Sequence, residues 1–273
     1  MRPSPSNTSV REPAVAGFFY PRDPGELRAT VDDLLQRSSV GELPTDTLTY
    51  IVPHAGYIYS GSVAATVYST LKKSAQPIRR VVLIGPSHRV YLRGVAVPQA
   101  DAFRTPLGDI PLDMERKRTL IRRGDVILSD TPHALEHSLE VQLPFLQTLS
   151  DGFELLPLVV GEATPEHIAS VLDHIVDDAD TLLLASSDLS HYLTYEEARE
   201  KDAETAGEIL SFANHLVGEQ ACGAVALNGL LTFAKRRRAQ ITELARLNSG
   251  DTAGDRSRVV GYGAYAIHGD RRN

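Results

Sequence analysis

The chain has 273 residues, of which 42% are hydrophobic and 23% charged, a composition that excludes a disordered protein and is typical of one globular domain. The formal net charge of -7 excludes a nonspecific nucleic-acid binder, because contacts to phosphates require a positive surface. No segment offers the roughly 20 apolar residues of a membrane span, the N-terminus lacks the apolar region of a secretory signal, and there is a single cysteine. These features predict a cytoplasmic protein that contacts neither membrane nor nucleic acid.

Residues 1–10, rich in serine and proline, are predicted to form a disordered tail, and residues 11–273 to form one domain. Asp23, Pro24 and Glu26 match the start signals of a helix, which predicts a helix over residues 24–36. Beyond it, short runs rich in β-branched residues and leucine alternate with amphipathic stretches.

The alternation defines the remaining elements. The predicted strands are 47–52, 80–84, 94–97, 153–160, 181–185 and 259–267. The predicted helices are 60–72, 114–124, 135–149, 165–176, 195–212 and 223–238. Residues 101–113 break the alternation and predict an antiparallel excursion. The order of elements predicts an α/β fold with a mostly parallel, mixed central sheet and helices on both faces.

Three histidines each follow an apolar run that is predicted to be a strand: His54 in PHAGY, His88 in GPSHR and His191 in SSDLSHY. Because the carboxyl ends of strands form the crevice where α/β proteins bind ligands, the three imidazoles are expected to meet at one edge of the sheet. Neutral imidazole is a common ligand of zinc, iron and copper, which makes His54 and His88 candidate metal ligands. The alternative is that each ring is hydrogen-bonded within its own loop.

Two further residues could complete this site. Asp188 precedes His191 by three residues, which favours either a carboxylate that orients the imidazole for acid or base work or two side chains that face the same cavity; the alternative is that Asp188 caps a loop or helix. Cys222 comes just before a predicted helix, where the thiol pKa is expected to be depressed and the thiolate could bind a soft metal ion. The alternative for Cys222 is simple packing in the core.

The segment HALEHSLEVQLPFL places His133 and His137 four residues apart, and we expect His137 to line the pocket and His133 to lie in the preceding turn. Tyr57 and Tyr59 are predicted to lie beside the pocket, where aromatic side chains suit recognition of a ligand. NAD and ATP binding have no support, because the sequence has neither a dinucleotide-binding nor a Walker A loop.

Eight ordered segments together resemble the MEMO family, called AmmeMemoRadiSam system protein B in bacteria. They are PAVAGFFYP, PHAGYIYSG, GPSHR, FRTPLGD, EHSLEVQLPFL, SSDLSHY, ACG and LNSGD. The resemblance covers about residues 11–268 and implies a fold like that of class III extradiol dioxygenases, which hold iron(II) at one end of a mixed sheet. It also implies metal-site positions at His54, His88 and Cys222 and pocket positions at Asp188 and His191.

The resemblance does not carry ring cleavage with it, because Cys222 stands where those dioxygenases have a carboxylate and a thiolate favours softer ions. The leading hypothesis is a redox protein that binds iron(II) or copper, or alternatively zinc, in which His191 moves protons and Asp188 orients His191. A second hypothesis is a non-enzymatic module that binds a small molecule or peptide in the same pocket, or serves AMMECR1-like and radical-SAM partner proteins. A third is a hydrolase with Cys222 as nucleophile and His191 as base.

Overall fold

A computed structural model describes residues 9–39, 41, 43–44, 47, 49–74, 77–176 and 181–269. Its strands are β1 (Val10–Arg11), β2 (Thr49–Val52), β3 (Arg80–Pro86), β4 (Val95–Val97), β5 (Ala102–Thr105), β6 (Gly108–Pro111), β7 (Ile127–Leu128), β8 (Glu154–Val160), β9 (Thr181–Ser186), β10 (His191–Leu193), β11 (Gln240–Asn248) and β12 (Val259–His268). Its helices are α1 (Pro24–Arg37), α2 (Tyr57–Ser74), α3 (Met114–Arg123), α4 (Thr131–Ala134), α5 (Leu143–Leu149), α6 (Pro165–Asp173), α7 (Tyr195–Leu210) and α8 (Ala224–Arg236).

The central sheet confirms the predicted mixed architecture. Strands β2, β9, β3 and β8 are neighbours in that order and run parallel, whereas β12 and β4 pair antiparallel with the outer two of them. The predicted excursion at 101–113 is the antiparallel hairpin of β5 and β6, which joins β1 in a small separate sheet.

Helices cover both faces of the central sheet, and each face has its own hydrophobic core. Along β3, Val81 and Leu83 point to the core formed with α1, α2 and α5, whereas Val82 and Ile84 point to the core formed with α6 and α8. Because both faces are buried, the central strands are apolar in their middle, and polar residues occur only at their ends. Within the described residues, no helix combines the length and apolar character needed to cross a bilayer.

The predicted helix over 135–149 is wrong in its first part, since only α5 (Leu143–Leu149) is an α-helix within these bounds. Between α4 and α5 the chain forms an irregular segment and a 3-10 turn at Glu140–Gln142. Two features interrupt the helix: the Glu136 carboxylate accepts the backbone N–H groups of His137 and Ser138, both at 2.9 Å, and Pro144 has no N–H for an uninterrupted helix. Strands β1, β7, β10 and β11 were not predicted.

The N-terminal segment is held against the domain by one buried carboxylate. Glu140 is fully buried, pairs with Arg11 and accepts the hydroxyl of Tyr20 at 2.5 Å. It also accepts the backbone N–H groups of Ala14 and Val15, at 2.7 and 3.0 Å. Residues 1–8 of the predicted tail lie outside the described residues, and Val10, at its end, pairs with Ala102 in the small sheet.

Candidate metal centre

The carboxyl ends of three adjacent parallel strands deliver the principal side chains of the site. His54 follows β2, Asp188 follows β9 and His88 follows β3, and these strands lie side by side in the order β2, β9, β3. The predicted meeting of His54 and His88 is confirmed, since their ring centroids are 5.1 Å apart. The geometry follows from the parallel pairing, which sets all three strand ends at one edge of the sheet.

His54 is buried and lies against Cys222, with 3.1 Å between its Nε2 atom and the Cys222 sulfur. Its other ring nitrogen, Nδ1, lies 3.0 Å from the hydroxyl of Ser186. Burial, followed by the neighbouring His137 and His88, holds the pKa of His54 well below its usual range. The imidazole is therefore neutral near pH 7, the form that binds a metal ion.

Cys222 reaches His54 because the chain passes very close to the end of β9. A Cβ atom on Gly223 would lie 2.7 Å from Ser187 Cβ, and the Gly223 N–H donates to the Ser187 hydroxyl at 2.9 Å. Only glycine fits this approach, which explains the ACG motif. Helix α8 starts at Ala224, but the expected low thiol pKa is wrong: burial, and then the charge of Asp188, raise the pKa of Cys222 to about 12.

His88 is oriented by Glu136, a residue that the sequence analysis did not single out. Glu136 Oε1 lies 2.9 Å from His88 Nδ1, and Glu136 Oε2 accepts the backbone N–H of His88 at 2.6 Å. Burial alone would raise the pKa of Glu136, but the hydrogen bonds from His88 and Ser138 outweigh it and lower the pKa to about 2. A carboxylate can only accept, so His88 carries its proton on Nδ1 and directs Nε2 away from Glu136.

Asp188 does not orient His191, which corrects the sequence-based expectation. Its Oδ1 atom accepts the backbone N–H of His54 at 2.7 Å, and its Oδ2 atom lies 4.0 Å from His54 Nε2. His191 Nδ1 instead donates to the carbonyl of Leu189 at 2.8 Å. The two side chains nevertheless line the same cavity.

Burial gives these two residues opposite pKa shifts. The pKa of Asp188 is raised to about 7 by burial, against the lowering effect of the hydrogen bond from the backbone of His54. The pKa of His191 is lowered, again mainly by burial. Near neutral pH, Asp188 can therefore hold a proton while His191 is a neutral base.

The cavity has a volume of about 820 Å³ and is large enough for a substrate or a peptide side chain. His137 and Tyr59 line it, as predicted, together with Phe18 and Tyr192, which are 79% and 65% exposed. Tyr57 is different: it is buried in the core and its hydroxyl donates to the carbonyl of Val141 at 2.7 Å. Tyr57 therefore packs in the core and does not line the cavity.

The other histidine of that segment, His133, is buried in α4, and its Nε2 lies 3.1 Å from the carbonyl oxygen of Ala96. It is buried, is not among the residues that line the cavity, and its backbone carbonyl accepts a hydrogen bond from the buried Arg11 side chain. The prediction that His133 lies in the turn before His137 agrees with this position.

Three side chains have the composition and spacing of a metal site. The possible ligand atoms, one each from His54, His88 and Cys222, lie within 4.8 Å of one another. Two imidazole nitrogens and a sulfur on different loops fit zinc, copper or iron, and the cavity leaves room for further ligands. The donor set therefore fits a transition-metal ion.

A second group, His88, Glu136 and His137, also has ligand atoms within 4.8 Å of one another. The Glu136 carboxylate already accepts three backbone N–H groups and the His88 ring, so its oxygens are satisfied without an ion. His137 Nδ1 lies 3.3 Å from Glu136 Oε1 but lacks hydrogen-bond geometry, and it is buried with no partner in the described part of the chain. Glu136 is better explained as the residue that orients His88.

Comparison with known proteins identifies the family of the chain. Residues 11–266 match the family model described as Memo-like protein. The chain belongs to the MEMO family. It is 34% identical to a MEMO1 family protein of Desulfurococcus amylolyticus, over 94% of this chain and 99% of the relative.

Two further MEMO1 family proteins, from Methanopyrus kandleri and Aquifex aeolicus, are each 37% identical to this chain. Each comparison covers 93% of this chain and 97% of the relative. An uncharacterized protein of Escherichia coli K12 has a similar fold, with a TM-score of 0.51, 13% identity and coverage of 81% of this chain and 99% of that chain. At that identity the similarity concerns the fold alone.

Proposed function

We propose that this MEMO family protein binds a redox-active transition metal, iron(II) or copper, through His54, His88 and Cys222. The observation that carries the proposal is the 3.1 Å approach of His54 Nε2 to the Cys222 sulfur, with a ligand atom of His88 within 4.8 Å of both. A sulfur and two imidazoles suit copper(I), iron(II) and zinc better than magnesium or calcium. The bound ion would supply electron transfer or Lewis-acid chemistry at the floor of the cavity.

The chain's own residues supply proton handling beside that position. Asp188, with its pKa raised to about 7, exchanges a proton near neutral pH, and its Oδ2 atom is 4.0 Å from His54 Nε2. His191 donates Nδ1–H to Leu189 and so keeps Nε2 as an acceptor. A substrate held between Tyr59 and His137 would therefore meet an acid and a base in one cavity.

Anaerobic titration of untagged protein with iron(II), copper(I) and zinc tests the proposal. We expect one equivalent to bind, and we expect His54→Ala, His88→Ala and Cys222→Ala each to weaken binding at least about 10-fold because a ligand is lost. His174→Ala is the matched control, since this histidine lies at the end of α6, away from the cavity, where its Nδ1 lies near the Ser170 carbonyl and Asp125. Undiminished affinity in Cys222→Ala would remove the sulfur from the site. Electron paramagnetic resonance of the loaded protein after reaction with oxygen tests redox activity.

A second candidate function is recognition of a peptide, metabolite or partner protein, including radical-SAM and AMMECR1-like partners, without chemistry. The exposed rings of Phe18 and Tyr192 at the cavity favour it, because exposed aromatic side chains are common in binding surfaces. Metal-loaded protein that consumes no oxygen but retains a partner through purification would support this function over catalysis. Phe18→Ala should then release the partner.

The hydrolase alternative has weaker support. A nucleophilic cysteine needs a thiolate near neutral pH, whereas burial and Asp188 raise the pKa of Cys222 to about 12 in the metal-free chain. The imidazole beside the Cys222 sulfur is that of His54, at 3.1 Å, and no hydrogen bond joins the sulfur to His191, the base of that hypothesis, among the described residues. Rapid alkylation of Cys222 that chelators leave unchanged would revive this alternative.

A further inference from the structure

The ring nitrogen of His54 that faces away from Cys222 contacts a buried polar group. His54 Nδ1 lies 3.0 Å from the hydroxyl oxygen of Ser186. The same oxygen lies 2.6 Å from the carbonyl oxygen of Ser138 and 3.0 Å from the side-chain nitrogen of Gln142. Ser186 and Gln142 are both buried, so water does not compete for these contacts.

The other contacts of Gln142 fix the orientation of its amide group. The amide nitrogen lies 2.8 Å from the carbonyl oxygen of Pro53, and the amide oxygen lies 2.7 Å from the hydroxyl of Tyr68. A flipped amide would set two oxygen acceptors, its own and that of Pro53, against each other. The amide nitrogen therefore donates to both Pro53 and Ser186.

Counting donors then determines where the proton of His54 lies. Ser186 has one hydroxyl proton, and this proton goes to the Ser138 carbonyl, which can only accept. Gln142 is a donor, so Ser186 presents only an acceptor lone pair to His54. His54 Nδ1 must then carry the ring proton, and in the neutral ring Nε2 carries the lone pair.

We propose that Ser186 and Gln142 are positioning residues that fix the Nδ1-protonated tautomer of His54, so that Nε2 presents its lone pair to the metal ion beside Cys222. In the other tautomer, Nε2–H would donate to the Cys222 sulfur, 3.1 Å away, and could not bind a metal ion. The consequence for metal binding rests on the proposed function, whereas the tautomer is a property of the metal-free chain. The Glu136 carboxylate fixes the same tautomer in His88. The His54 ring is thus oriented by neutral partners, Ser186 and Gln142, and the His88 ring by a charged one.

Nitrogen-15 NMR of the metal-free protein tests the tautomer directly. Long-range correlations between ring protons and nitrogens show which nitrogen is protonated, and a His54→Gln variant identifies the signals among the nine histidines. We expect protonated Nδ1 and unprotonated Nε2 for His54. A proton on Nε2 in the wild-type chain would overturn the proposal.

Ser186→Ala tests the positioning role. Without the serine acceptor, the ring proton is expected to move to Nε2, which faces the sulfur, and metal affinity should fall by about 10–100-fold. Ser69→Ala is the matched control, because it removes another buried serine hydroxyl, one that donates to the Leu35 carbonyl at 3.2 Å. An unchanged tautomer and affinity in Ser186→Ala would overturn the proposal.

Gln142→Met provides a second variant if Ser186→Ala does not fold. It removes the donor that restricts the Ser186 hydroxyl, so we expect a mixture of the two tautomers of His54 and a smaller loss of metal affinity than in Ser186→Ala. A single, wild-type tautomer in Gln142→Met would exclude a role for Gln142. Failure of the wild-type chain to bind any metal ion would overturn the proposed function, while the NMR spectrum of the metal-free protein would still decide the tautomer.

Discussion

Glu136 holds His88 at two points, the ring Nδ1 at 2.9 Å and the backbone N–H at 2.6 Å. The substitution Glu136→Gln keeps the shape of the side chain but replaces one carboxylate oxygen with an NH₂ group. Both oxygens now accept hydrogen bonds, so in either orientation the NH₂ group faces an N–H donor. We expect metal affinity to fall by about 10–100-fold, as for other residues that orient a ligand histidine. Competition titration with a chelator of known affinity measures this fall.

The matched control is Glu162→Gln, at an exposed position where the carboxylate accepts only the Tyr91 hydroxyl in the described residues. It should leave metal affinity unchanged. If Glu136→Gln binds the metal as tightly as the wild-type chain, Glu136 has a purely structural role.

The sequence could predict that histidines lie at the strand ends, but it could not predict the hydrogen-bond partners of those histidines. His54 and His88 follow continuous apolar strands, and parallel pairing brings such ends together whatever the rest of the chain does. The partner of His88 was hidden because Glu136 sits in a stretch with helical spacing of apolar residues. Its capture of three backbone N–H groups depends on tertiary structure.

The electrostatics of Cys222 were misjudged for a related reason. A cysteine just before a helix suggests a low thiol pKa, but the sequence gives no measure of burial or of the nearby Asp188, which together raise it. Strand β11 was missed because its burial is intermediate along most of its length, which weakens the apolar signal. The family resemblance supplied the grouping of His54, His88 and Cys222, and one ligand atom from each of these residues lies within 4.8 Å of the other two.

Arg11 and Glu140 form a buried ion pair that anchors the segment leading to Phe18 in the cavity wall. Arg11→Met leaves the Glu140 charge buried without its partner, so we expect the free energy of unfolding to fall by about 3–5 kcal/mol. Urea denaturation measures the change. Arg104→Met, which breaks the solvent-exposed pairs with Asp109 and Glu12, is the control and should have little effect; an equally small effect at Arg11 would contradict the assigned role.

His133 makes the protein sensitive to acid. Burial lowers its pKa from 6.5 to about 4, so the unfolded chain takes up a proton in this range while the folded chain does not. The free energy of unfolding therefore falls as the pH drops through this window, by roughly 3 kcal/mol at its lower end.

His133→Gln removes this titration, and its amide can still donate to the Ala96 carbonyl. We expect urea denaturation of the metal-free variant to show a shallower loss of stability between neutral pH and about pH 4 than the wild-type chain. His215→Gln, at an exposed position, should follow the wild-type curve. Parallel curves for His133→Gln and the wild-type chain would show that folding does not lower the pKa of His133.

Two glycines in helices allow a paired test of the packing behind the site. Helix α8, which follows Cys222, contacts α6 through Gly229, where a Cβ atom would lie 2.3 Å from Ile168 Cβ. Gly229→Ala should therefore destabilise the protein by about 1–3 kcal/mol, because the two helices must move apart. Gly207 lies in α7 with nothing within 4 Å of its Cβ position, so Gly207→Ala should stabilise the protein by about 0.5–1 kcal/mol through the higher helix propensity of alanine. Thermal or urea unfolding compares the two variants, and a stabilised Gly229→Ala would mean that α8 can shift without cost and that its packing does not fix Cys222.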